Sequence, residues 1–132
     1  MITEDYVSFE TAKLLKEKGF DWECFQYWHE IDNLTCFKIE LVHSQSMYPI
    51  QNISNPCFFG PAAPTLQMAM KWLREVHKLW CEISWEGKNA WFVDIFSLDE
   101  EQYVMSGHKM HKVPSYEEAC DAAIKYCLEN LI

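Results

Sequence analysis

The stretch Ala63-Pro64-Thr65-Leu66-Gln67-Met68-Ala69-Met70-Lys71-Trp72-Leu73-Arg74-Glu75-Val76-His77-Lys78-Leu79 decides the fold. Pro64 and Thr65 mark a start. Leu66, Ala69, Met70, Leu73, Val76, His77 and Trp80 recur at helical spacing, while Gln67, Lys71, Arg74, Glu75 and Lys78 fall on the other side. The pattern predicts one amphipathic helix whose apolar stripe faces a core.

Working outward, a first helix is expected from Ser8, an N-cap residue, with Phe9, Ala12 and Leu15 on one face and Gly19 as its stop. Extended patterns follow at residues 24 to 29 and 35 to 42, separated by the turn formers Asp32 and Asn33. In the second of these, Phe37, Ile39 and Leu41 alternate with Lys38 and Glu40, the two-residue period of a half-buried strand. Beyond the central helix, residues 80 to 85 and 90 to 96 flank Glu86-Gly87-Lys88-Asn89, which predicts a second hairpin. Residues 98 to 114 read as a loop with room for one short edge strand. Ser115-Tyr116-Glu117-Glu118 then matches a capping box, and Tyr116, Ala119, Cys120, Ala123, Ile124, Cys127, Leu128 and Leu131 form the stripe of a last helix. The expected fold is α+β: helix, hairpin, helix, hairpin, helix, with both hairpins in one antiparallel sheet and the helices packed mainly on one face.

A length of 132 residues fits a single domain over residues 1–132, and at this size about two thirds of the unfolded chain's surface is buried. Hydrophobic residues make up 49%, which sets the chain apart from disordered sequences. The net charge of −9 and the scattered Lys and Arg residues argue against nucleic acid, whose phosphates bind through clustered basic side chains. A basic protein partner suits that charge better. The acidic N-terminus Met1-Ile2-Thr3-Glu4-Asp5 lacks the basic and apolar regions of a signal peptide, and no apolar run is long enough to span a membrane. These features predict a cytoplasmic protein whose six cysteines are reduced thiols.

Three blocks carry a resemblance: Tyr6-Val7-Ser8-Phe9-Glu10-Thr11-Ala12 and its continuation to Phe20, Ala63-Pro64-Thr65-Leu66-Gln67 through Glu75, and Ser115-Tyr116-Glu117-Glu118-Ala119 to the end. They resemble small uncharacterised proteins of phages, prophages and other mobile elements of gut Bacteroides and relatives. That resemblance implies a bacterial, mobile-element origin, with no activity, cofactor or catalytic residue attached. The final hairpin followed by a Ser-x-Glu-Glu-Ala helix is also similar to the partial ribonuclease-H-like domain of HicB-type antitoxins, which implies an inhibitor.

Candidate chemistry is sparse. His108 and His111, with His43 or Cys57 from the long loop, supply metal-ligand types, but no Cys-x-x-Cys or His-Glu-x-x-His organises them, so no metal or cofactor is expected. Cys57 lies among Pro56, Phe58 and Phe59 without the cationic neighbours that activate a thiol. Asp94 interrupts an apolar strand, and its expected place is the wet face opposite Val93 and Ile95, with no second carboxylate placed to complete an acid–base pair. A small enzyme built on Cys57, Asp94 or a histidine is therefore the rival reading. The leading one is a non-enzymatic protein that binds a protein partner or a second copy of itself. The sequence locates that surface in residues 43 to 64, where Met47, Tyr48, Ile50, Phe58 and Phe59 supply anchors, joined by Trp28 of the adjacent hairpin. Trp22, Tyr27 and Trp85 are further aromatics expected at a surface.

Overall fold

Capping residues set the helix ends in the computed structural model, which describes residues 5–32, 37–43, 51–52, 60–88, 90–106 and 113–132. The fold is α+β, and the chain divides into two compact units, Met1–Thr65 and Leu66–Ile132.

In the first unit, α1 (Phe9–Glu17) begins where the Ser8 hydroxyl accepts the Thr11 N–H at 3.2 Å. It ends in a Schellman arrangement. The Gly19 N–H reaches the Lys16 carbonyl, the Phe20 N–H reaches that of Leu15, and Gly19 takes a φ of +90° that a side chain would strain. Leu15 and Phe20, the two apolar residues such a cap brings together, are both buried. β1 (Gln26–Asp32) and β2 (Phe37–His43) form an antiparallel two-stranded sheet from the Gln26–His43 pair to the Asp32–Phe37 pair. Asp32, expected in the turn, is thus the last strand residue. Residues 61 to 63 run beside β1, with the Trp28 N–H on the Pro61 carbonyl and the Ala63 N–H on that of Gln26.

In the second unit, α2 (Leu66–Val76) buries Leu66, Ala69, Met70, Trp72 and Leu73. The expected helix overran. Lys78 adopts a φ of +56°, its ammonium group caps the Glu75 carbonyl, and Leu79 and Trp80 open the next strand. Val76, expected in the core stripe, is 51% exposed. β3 (Leu79–Trp85), β4 (Trp91–Ser97) and β5 (Gln102–Met105) form an antiparallel sheet with β4 central, and a bulge shifts the register between Ile95 and Phe96. The first hairpin is not part of it, so the single sheet expected from the sequence is corrected to two. α3 (Tyr116–Asn130) starts at Ser115, whose hydroxyl accepts the Glu118 N–H at 3.1 Å. Helices α2 and α3 pack on each other and on β3, and α3 also covers β4.

Candidate functional site

Strand alternation gives the sheet of the second unit two unlike faces. Cys81, Trp91, Val93 and Ile95 point toward α3, as the Cys81–Cys127 contact of 3.8 Å and the Trp91–Tyr116 ring contact of 5.4 Å show. Their neighbours therefore point the other way: Trp80, Glu82 and Ser84 from β3, and Phe92, Asp94 and Phe96 from β4. Val93 and Ile95 are fully buried, whereas Trp80 is 44% exposed.

This outer face carries an aromatic row beside two acids. Trp80 and Phe96 are directly opposed across the strands, and Tyr103 of β5 stands against Phe96 with ring centroids 5.1 Å apart and edges turned to faces. The Tyr103 hydroxyl donates to the Glu82 carboxylate at 3.0 Å, reaching over β4 to do so. That hydrogen bond, together with the charges of Glu82 and Asp94, raises the phenol's pKa, because each favours the neutral phenol over a phenolate. Glu82 is the cross-strand partner of Asp94, a neighbour that the register between the strands supplies. Its expected place on the face opposite Val93 and Ile95 agrees with the register. Like charges directly opposed across two strands repel each other. One cation already uses the adjoining aromatic: the Arg74 guanidinium lies over the Trp80 ring at 5.3 Å.

Of the residues expected to bind a partner, Trp28 is half-buried; its ring N–H donates to the Val7 carbonyl at 3.0 Å and its ring meets Phe9 at 6.2 Å. Met47, Tyr48, Ile50, Phe58 and Phe59 lie outside the described residues, as do Cys57, His108 and His111. Two amides of the same stretch bond within the unit. Asn52 donates to the Phe20 carbonyl and accepts the Ala62 N–H, and Gln51 donates to the Asp21 carbonyl. Among the described residues, no three His, Cys, Asp or Glu side chains gather where they could hold a metal ion, and no helix is long and apolar enough to cross a membrane.

The outer face is only half legible in the sequence, because Trp80 both completes a helical repeat with Leu73, Val76 and His77 and opens the strand expected over residues 80 to 85. The signal that finds it is the two-residue alternation shared by residues 80 to 84 and 92 to 96. Trp85, expected at a surface, is 64% exposed. No protein-family model matches the chain, and no curated protein or solved structure shows significant similarity to it.

Proposed function

We propose that the chain is a non-enzymatic binding module whose outer β3–β5 face takes a Lys- or Arg-bearing segment of a partner protein. The observation that supports this most directly is the Trp80, Phe96 and Tyr103 row set against the Glu82 and Asp94 carboxylates. Exposed aromatic faces attract cations through their ring quadrupoles, and carboxylates beside them fix the cation's position. A second copy of the chain is disfavoured as the occupant, since each copy carries a net charge of −9 and would bring acids against acids. The resemblance to mobile-element proteins supports a partner in the cytoplasm of the bacterial host, with this chain as an accessory factor.

The test uses a synthetic Arg- and Lys-rich peptide and a neutral Gln analogue, followed by calorimetry and tryptophan fluorescence. The basic peptide should bind, Glu82→Lys should weaken it by about tenfold or more, and Trp80→Ala should weaken it with little loss of stability, because both side chains stand at the surface. Equal binding of both peptides, or unchanged affinity in both variants, overturns the proposal. Dimerisation seen by light scattering and abolished by Trp80→Ala would instead assign the face to a second copy.

A further inference from the structure

We propose that Cys81 and Cys127 form a paired thiol site that closes into an intrachain disulfide when the protein meets a hydroperoxide. This inference is independent of the binding face. The two sulfurs stand 3.8 Å apart, one at the centre of β3 and the other on the buried face of α3. A disulfide holds its sulfurs at about 2.05 Å, so the gap closes by less than about 2 Å, within reach of a side-chain rotation. The third thiol on this face, Cys120, is excluded as a partner for Cys127. Seven residues along one helix separate them by about 10 Å of axial rise, well beyond a disulfide's span.

The two cysteines are unequally placed for the chemistry. Cys127 is fully buried, and the contact with Cys81, together with burial, raises its thiol far above the ordinary range. Cys81 is half-buried on its strand and is the one that an oxidant meets first. Its thiolate attacks the O–O bond of hydrogen peroxide, giving a sulfenic acid and a hydroxide that leaves as water after taking a proton. The Cys127 sulfur then attacks the Cys81 sulfur, its own proton leaving with the displaced hydroxide as a second water. In sum, two thiols and one peroxide yield one disulfide and two waters. The new bond fastens β3 to α3 across a sequence separation of 46 residues and removes loop freedom from the unfolded chain.

The test incubates the reduced full chain with hydrogen peroxide, alkylates the remaining thiols under denaturing conditions, and maps peptides without reductant. The expected result is a mass loss of two hydrogens before alkylation, two fewer alkylated thiols, and a linked peptide joining Cys81 to Cys127. The linked protein should melt at a higher Tm and return to its former Tm with reductant. Cys120→Ala should keep the linked peptide, whereas Cys81→Ser and Cys127→Ala should each remove it. Oxidation of Cys81 to sulfinic acid without a linked peptide, a bridge to Cys120, or bridges only between chains would overturn the proposal. The wild-type map decides this even if a variant folds poorly.

Discussion

His77 stands where two electrostatic preferences oppose each other. It follows the last residue of α2, and the carbonyl end of a helix favours a charged imidazole. Its ring nevertheless packs edge-on against the buried Trp72 at 4.7 Å, and its Nε2 is buried with no hydrogen-bond partner among the described residues, so protonation there would bury an unsatisfied N–H. Desolvation wins, and the pKa lies below the ordinary 6.5. The unfolded chain therefore takes up the proton first. The stability due to a neutral His77 is intact above 6.5 and declines as pH falls through that value toward the lower folded one. Denaturant midpoints measured from about pH 8 down to about pH 5 should fall on acidification, and less steeply in His77→Phe, which keeps a ring against Trp72. Identical slopes in the two proteins would mean that His77 does not carry this burden. At this scale the caps were legible, because Ser8, Gly19 and Ser115 act through local hydrogen bonds and backbone angles. Lys78 was not, since a lysine at positive φ carries no such signature and the apolar repeat runs straight through it.

Between elements, a contact that tolerates little change is the passage of residues 60 to 63 beside β1. A Cβ built on Gly60 would overlap the Trp28 carbonyl and stand 2.7 Å from its carbon, so backbone rather than a flexible side chain would have to move. That movement would disturb two neighbouring hydrogen bonds, Trp28 N–H to Pro61 at 3.0 Å and Ala63 N–H to Gln26 at 2.8 Å. Gly60→Ala should therefore destabilise by about 2 kcal/mol or more, well above the loss expected of an exposed loop substitution. The core of α2 offers the comparison: Leu73 is fully buried, and Leu73→Ala should cost about 2–5 kcal/mol. A Gly60→Ala protein that unfolds at the wild-type denaturant concentration would show that the close approach is absent in solution. The elements themselves were legible from their periods. Their assembly was not, because alternation tells which residues share a face and nothing about which strand edges meet; hence one expected sheet became two. The Glu82–Asp94 pair was hidden for the same reason, being a property of register between strands.

Across the whole molecule, the net charge bears on the partner proposed for the outer face. With 20 acidic residues against 11 basic ones, the chain repels polyanions and attracts polycations at a distance, before any short-range contact forms. Steering of this kind depends on ionic strength, because screening shortens the field to about 8 Å at physiological salt. The basic peptide should therefore bind more weakly as salt rises, chiefly through slower association, while the part of the affinity due to the Trp80, Phe96 and Tyr103 rings persists. Duplex DNA should show no retardation of mobility even at low salt, where binding through phosphates would be strongest. Stopped-flow fluorescence at several salt concentrations, beside a gel-shift titration, checks both statements. A salt-independent association rate would mean that the acids do not guide the encounter, and a DNA complex at low salt would reveal a local basic surface that the net charge conceals.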